Sequence, residues 1–415
     1  MKLSVGGRTE TRDGLVKATP GSSVSELNSR DNKSGRLAAT LDLSKDFTLD
    51  YRYDKTKVNQ VGQFSQVLRS DIPNLGITVS PNGRVDTASV NGPSFEKMNL
   101  QGQSLTAEWR INASNTVKYI GARRTMDWDD GLDLDGSIVA VAATQRLSTY
   151  SQTSHELQLL GGSGPLNYVA GVYRFVDDGF TNNPQTFFFG SANFQSDYGF
   201  ATKGTSVYGQ ADYKLSDALT LTAGVRRTSE DKSTRRYYAQ VDPANAVLAV
   251  IVPQGTTAKT SFNATTPLVS LGYKLNDQAS VYARYSEGFK SGGFNGEAQS
   301  VVESTRPFRP EKLKSMELGL KSTLLGGRMT FNAALFNNES TDLQQAIFTA
   351  TGAAGSDIRN IGKANSRGFE LESAWRVSAD LKLQVGYGYL KTKYKEYPND
   401  QGVNVADNVA VVHAP

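Results

Sequence analysis

LTLTAGVRR, residues 219–227, puts Leu219, Leu221, Ala223 and Val225 on one side of an extended chain and Thr220, Thr222, Gly224 and Arg226 on the other. A period of two is that of a strand with one apolar face, and a helical period of 3.6 does not fit it. The same reading holds at four other places. RMTFNAALF (328–336) sets Met329, Phe331, Ala333 and Leu335 against Thr330, Asn332 and Ala334. RGFELESAWRV (367–377) sets Phe369, Leu371, Trp375 and Val377 against Glu370, Glu372 and Arg376, and SLTAEWRI (104–111) sets Leu105, Ala107, Trp109 and Ile111 against Glu108 and Arg110. In LKLQVGYGY (381–389), Leu381, Leu383, Val385, Tyr387 and Tyr389 oppose Lys382 and Gln384. Alternation of this kind suits a soluble sandwich with charge outside and equally a membrane barrel with charge in its lumen.

Connection lengths separate the two. Short clusters of Gly, Asn, Asp and Ser join strands in pairs: SKDF before Thr48, NASN before Thr116, GGSGP before Leu166, SDA before Leu219, NDQA before Ser280, LLGG before Arg328 and SAD before Leu381. Between the pairs lie long polar segments, at 58–103, 125–150, 178–203, 232–260, 291–312 and 343–363. Outer-membrane barrels alternate short periplasmic turns with long extracellular loops, whereas compact soluble domains seldom carry loops beyond about 12–15 residues. The periodic stretches run about 10–14 residues, close to the roughly 9–11 of a tilted bilayer crossing and longer than an ordinary soluble strand. About fifteen strands are expected by this count. An arginine or lysine facing acyl chains at mid-membrane costs about 2–4 kcal/mol, so the faces carrying Arg110, Glu372 and Lys382 are expected to look into the lumen. Tyr51, Tyr53, Trp109, Trp375, Tyr387 and Tyr389 fall near strand ends, where aromatic girdles sit.

Composition permits this reading. Hydrophobic residues make up 38% of the 415, and no apolar run approaches the roughly 18 residues of a membrane helix. A β-barrel escapes that test, because only alternate residues face lipid. With no cysteine there is neither a disulfide framework nor a thiolate metal site. A net charge of +4 from 45 basic and 41 acidic side chains, with no long basic block, gives no reason to expect nucleic acid as a partner. The opening MKLSVGGRTETRDG has neither the apolar run nor the cleavage site of a signal peptide.

From Ser280 to Glu372 the chain resembles the TonB-dependent outer-membrane receptors. The residues that carry the resemblance are SVYARYSEGFKSGGFNG (280–296), PFRPEKLKSMELGLKS (307–322), GRMTFNAALFNNESTDLQ (327–344) and NIGKANSRGFELE (360–372), in family order and spacing. Earlier stretches, RTETRDG and SGRLAATLDLSKDFTLDYRY, look like the first part of such barrels. The resemblance implies an all-β fold, an antiparallel transmembrane β-barrel of which this chain supplies about fifteen of 22 strands. It also implies residues 1–415 as a barrel domain truncated at both ends, with the plug domain and TonB box missing from this chain. It further implies the outer membrane as location, outer-membrane lipid and a ferric siderophore or similar chelate as partners, and the TonB complex as a partner only through the missing plug. A porin-like passive channel and a soluble β-rich binding protein stand as alternatives.

No enzyme chemistry is legible. His155 and His413 lie far apart without a carboxylate or thiolate cluster, so no metal site, catalytic triad or cofactor is expected, and His155 reads as a strand-face residue. Gly288, Gly292 and Gly293 of GFKSGG lack the lysine-serine pattern and following helix of a phosphate loop; they read as backbone bends where a strand leaves the membrane. Candidate ligand contacts sit in long loops. Phe187, Phe188 and Phe189, with Phe194 and Tyr198, form an aromatic group, and Arg235, Arg236, Tyr237 and Tyr238 a cationic and aromatic one; both suit a planar or anionic chelate. Residues 246–252, AVLAVIV, read as a loop hairpin strand.

Overall fold

The computed structural model describes residues 1–70, 77, 79–350, 354–398 and 403–409; His413 lies outside them. Fifteen strands follow one another through a single antiparallel sheet. They are β1 (Lys2–Arg12), β2 (Arg30–Ser44), β3 (Phe47–Gln60), β4 (Phe95–Arg110), β5 (Asn115–Asp133), β6 (Ala142–Ser163), β7 (Leu166–Asn182) and β8 (Ala192–Lys214). The series continues through β9 (Leu219–Val241), β10 (Val247–Asn276), β11 (Ala279–Lys290), β12 (Glu311–Leu324), β13 (Met329–Thr341), β14 (Lys363–Arg376) and β15 (Lys382–Glu396). A short strand, Pro184–Phe187, wedges between β6 and β8 beyond the end of β7. Each predicted short turn joins consecutive strands, so all seven lie at one end of the sheet.

Several segments read as loops are strand instead. Residues 178–203 belong largely to β7 and β8, and 232–260 is interrupted only between Val241 and Val247. Stretches such as SEDKSTRRYY carry polar residues on both faces, so no apolar alternation marks them. Their backbones stay extended because the neighbouring strand continues beside them, residue for residue, from Lys214↔Thr220 up to Asn193↔Val241. The ends of 58–103 and 125–150 likewise belong to β3, β4, β5 and β6. Residues 246–252 fold back on Tyr238–Val241 through bulges, as a loop hairpin strand does, and the 343–363 connection carries its own hairpin, Gln344–Ala350 on Ala354–Asn360.

The apolar faces are uncovered. Val207, Leu335 and Val385 are 57%, 56% and 64% exposed, although they belong to the most regular part of the sheet. Element contacts among the described residues are almost entirely those of neighbouring strands, with no second sheet stacked on this face. A water-soluble β protein would bury these side chains at about 25 cal/mol per Å². Here an apolar solvent must meet them, and the soluble-protein alternative has no core to stand on.

On the opposite face the polar side chains pair across strands. Arg124 meets Asp54 at 3.1 Å, the Tyr208 hydroxyl donates to Glu156 at 2.6 Å, and Tyr282 donates to Glu317 at 2.5 Å. Arg226 lies over the rings of Tyr173 and Tyr208. Gly319 admits the Tyr282 ring, since a Cβ there would stand 2.3 Å from it. His155 lies on the apolar side, its Nδ1 2.7 Å from the Tyr119 hydroxyl.

Among the described residues, buried apolar clusters occur only at the long-connection end. Val16, Leu27 and Val90 form one around the small sheet of Val16–Ala18, Glu26–Leu27 and Thr87–Ala88. Phe187, Phe194, Tyr238 and Val252 form another.

Candidate functional site

The strands extend past the apolar band, and the lumen-side surface of that extension is where β8, β9 and the connection after β11 converge. Register explains how. Ser196 pairs with Tyr238, Tyr198 with Arg236 and Phe200 with Thr234, so two sequence groups 40 residues apart become one wall.

The two predicted groups meet, and alternation then divides each of them. Phe187, Phe194 and Tyr238 are 5%, 9% and 3% exposed, with Phe194 and Tyr238 stacked at 5.2 Å between centroids. They form the packed floor of the extension. Burial pushes the Tyr238 phenol up to about 12. Arg236 is also buried: its Nε donates to the Ala298 carbonyl at 2.9 Å, and Nη1 donates to Ser196 Oγ and to the carbonyls of Asp197 and Tyr237. Burial lowers its pKa to about 10, and it still carries its charge at neutral pH. Arg236 therefore ties the 294–299 segment to β9. Arg235 points to the opposite, outer face, its guanidinium 4.9 Å from the Phe180 ring centroid and 3.7 Å from Asp178. Tyr237 is half-buried.

Phe188 and Phe189 project from that floor, with the Phe188 ring 6.3 Å from that of Phe187. Both have left-handed backbones, φ 50° and 60°, at a turn whose amides donate to the Val141 and Ala140 carbonyls. Their rings are 50% and 63% exposed. A strained, braced turn that presents two open aromatics is the part of the predicted group available to a ligand.

A cleft of about 460 Å³ opens on the lumen side, lined by Phe200 and Lys232 from the β8–β9 wall, Lys290 at the end of β11, Phe294 and Phe308 from the connection after it, and Gln344. Its far side rests on GFKSGGFNG. Gly293 and Phe308 exchange backbone hydrogen bonds of 3.2 and 2.9 Å, and a Cβ on Gly292 would stand 2.3 Å from the Phe308 carbonyl oxygen. These glycines serve close backbone approach; neither Gly292 nor Gly293 has positive φ. The cleft has the size and the mixture of aromatics and cations of a small-molecule site. Sequence reasoning missed Phe200, Lys232, Lys290, Phe294, Phe308 and Gln344 as a set. The one available signal was the dense glycine spacing at 288–296, which asks for another backbone lying against it.

At the rim, Arg146 lies over the Trp128 ring and forms a two-pronged pair with buried Asp130. Asp133 accepts amides from Asn91, Gly92 and Gly136, fastening two long connections together, while burial raises its pKa against the pull of those bonds. No group of three or more metal-ligating side chains occurs among the described residues.

A family model described as TonB dependent receptor-like, beta-barrel matches residues 5–411. Among curated proteins, the pesticin receptor of Yersinia enterocolitica is 26% identical over 321 residues, covering 76% of this chain and 43% of its own length. The ferrioxamine B receptor of Salmonella typhimurium is 32% identical over 135 residues, covering 32% of the chain and 18% of its own length. Among solved structures, the ferric yersiniabactin uptake receptor FyuA from Yersinia pestis superposes with a TM-score of 0.78 at 20% identity, over 94% of this chain and 56% of that one. The chain thus spans less than half the length of the pesticin receptor it matches.

Proposed function

The chain belongs to the TonB-dependent receptor β-barrel family, whose members are outer-membrane transport receptors and not enzymes, and from that premise we propose that it walls a receptor for energy-coupled uptake of ferric siderophores or similar chelates. In this reading the chain supplies scaffold and recognition, and a plug with its TonB box, in the remainder of the receptor, gates passage and couples it to the TonB complex. The chelate enters past Phe188 and Phe189 and settles in the cleft between the β8–β9 wall and residues 290–308.

The observation that carries this is the composition of the cleft. Lys232 and Lys290 offer positive charge to an anionic chelate, and Phe200, Phe294 and Phe308 offer ring faces to its planar parts. Lys232 sits 3.4 Å from Glu230, so its charge is tempered but its position is fixed. The names of the relatives, receptors for ferrioxamine B and for ferric yersiniabactin, support ferric chelates as the class.

The test is a binding titration of the whole receptor against a panel of ferric siderophores, by quenching of tryptophan fluorescence. Replacing both Lys232 and Lys290 with glutamine is expected to weaken the preferred chelate about tenfold or more, the scale of one or two charge-assisted contacts. Phe188→Ala with Phe189→Ala is expected to slow association more than it raises dissociation. An unchanged affinity in the lysine variant removes the cleft from the binding site.

A further inference from the structure

We infer that the lumen wall beside the cleft holds the fatty-acyl chain of an amphiphilic chelate whose iron-binding head occupies the cleft; this rests on the chelate reading above. Register lines up an apolar stripe there. Leu100 on β4 pairs with Met126 on β5, Met126 with Tyr150 on β6, Tyr150 with Gly179 on β7, and Gly179 with Phe200 on β8. All five alternate onto the lumen face, since Met126 lies two residues beyond Arg124, which meets Asp54 on that face. Val58, Met98 and Trp128 extend the same surface one pleat further from the short turns. No charged side chain stands in the row, which runs on to Thr56 at one end and Thr234 at the other. Leu100 is ten residues from the short-turn end Arg110, and Phe200 fourteen from Lys214. The stripe therefore climbs from roughly 25 to roughly 35 Å above the turns, at and beyond the upper edge of an apolar band about 25 Å tall.

Such a surface is foreign to the rest of this face. The row directly below it carries Asp54, Arg124, Gln152 and Asp177, the polar side chains that a wall against water requires. The stripe is also continuous with the cleft. Phe200 lines the cleft and is 46% exposed, and its ring centroid lies 6.2 Å from that of Tyr150, two strands away. Gly179 makes that contact possible, because a Cβ there would stand 2.6 Å from the Phe200 ring.

Length and chemistry select the occupant. Four strand spacings of about 4.8 Å make a track roughly 19 Å long from Leu100 to Phe200, and one leaflet of a hydrocarbon core about 30 Å thick puts an ordinary acyl chain at about 15 Å. A peptide or sugar would bring polar groups that Leu100 and Met126 cannot satisfy, whereas a hydrocarbon chain asks for no partners and suits the adaptable methionine. With the head between Lys232 and Lys290, the chain leaves the cleft over Phe200 and Tyr150 and descends towards Leu100. Complete burial of a methylene is worth about fourfold in affinity, so a chain covered on one side gains roughly twofold per methylene until it outruns the track.

The test uses the whole receptor in phosphatidylcholine nanodiscs, with empty nanodiscs as the partitioning background. The probes are ferric complexes of a citrate dihydroxamate carrying acetyl, octanoyl, dodecanoyl or octadecanoyl chains. Affinity is expected to rise about tenfold or more from acetyl to dodecanoyl and then level off. The rise is expected to vanish in Leu100→Gln/Met126→Gln, whereas Lys232→Gln/Lys290→Gln weakens every probe and keeps the rise. A hydrophilic maleimide is expected to label Met126→Cys in the free receptor and to be blocked by the dodecanoyl probe but not by the acetyl one. A flat series with the acetyl probe still bound overturns the stripe and leaves the cleft reading standing. A Met126→Cys receptor that resists labelling before ligand is added has another of its own segments on the stripe, which overturns the inference as well. Should no chelate bind, the cleft reading fails, and dodecanoate alone decides the stripe: protection of Met126→Cys keeps it as an acyl site, and lack of protection removes it. Should the double variant lose heat-modifiable gel mobility, Met126→Gln alone is measured, with a smaller rise expected and an unchanged rise overturning the assignment.

Discussion

Leu318→Arg puts a cation on the outer face of β12, six residues from the short-turn end Leu324, at a side chain 54% exposed with no covering layer. Six residues at about 3.4 Å, tilted about 40°, place it roughly 15 Å above the turn, near the middle of an apolar band about 25 Å tall. At that depth an arginine costs about 2–4 kcal/mol, or about 30- to 900-fold in the folding equilibrium. Ser315→Arg adds the same charge to the same strand but on the lumen face, two residues from Glu317, and is expected to cost less than about 1 kcal/mol. Folding of the receptor into phosphatidylcholine vesicles across a urea or guanidinium series gives both values, read by heat-modifiable gel mobility. The comparison depends on the difference between the variants, so errors in the denatured reference largely cancel. Equal costs for the two arginines, or a cost below about 0.5 kcal/mol for Leu318→Arg, would refute the assignment of faces.

Other consequences follow from individual contacts. Arg236→Met removes the four donated bonds that tie Ala298, Ser196, Asp197 and Tyr237 to one guanidinium, and amide exchange at 294–299 is expected to speed up by the equivalent of about 2–3 kcal/mol; unchanged exchange there contradicts the tether. Arg146→Leu strands the 3%-exposed Asp130 and should cost about 3–5 kcal/mol, with Asp130→Asn added to it recovering part; a null effect on the denaturation midpoint argues against that pair. Gly319→Val drives a side chain into the Tyr282 ring and breaks its bond to Glu317, for about 1–3 kcal/mol, and a variant as stable as the parent shows that the ring has somewhere else to go.

The fold was legible where physics leaves a hydropathy trace. Strands that face lipid on one side must alternate, and LTLTAGVRR or RMTFNAALF does so because Leu221, Val225, Phe331 and Leu335 share a face that no second layer covers. The short turns were legible because glycine and Asx chemistry is local. Beyond the membrane both faces of β8, β9 and β10 meet water or polar loops, the alternation vanishes, and continuing strand reads as loop although its backbone stays paired. The site was legible only in part for a related reason. Phe187 and Tyr238 are 51 positions apart in sequence, and only the pairing of Pro184–Phe187 with β8 and of β8 with β9 turns them into one buried floor. Residue types chosen for ligand chemistry, aromatics and arginine, are also those that pack and brace a polar sheet extension, as Phe194 and Arg236 do. Lys232, Lys290 and Phe308 converge from three segments, and no local spacing announces that.

The most direct test of the central claim, that the apolar face meets acyl chains, is nitroxide scanning along β8 in lipid vesicles. The chain has no cysteine, so single labels at residues 205–213 report one position each. Oxygen, which concentrates in hydrocarbon, is expected to collide most with labels at 207, 209, 211 and 213 and least with those at 206, 208, 210 and 212, while a water-soluble nickel chelate shows no peak at 207. Oxygen accessibility without that period of two, or nickel accessibility at 207 equal to that at a long-loop position such as 189, would contradict it.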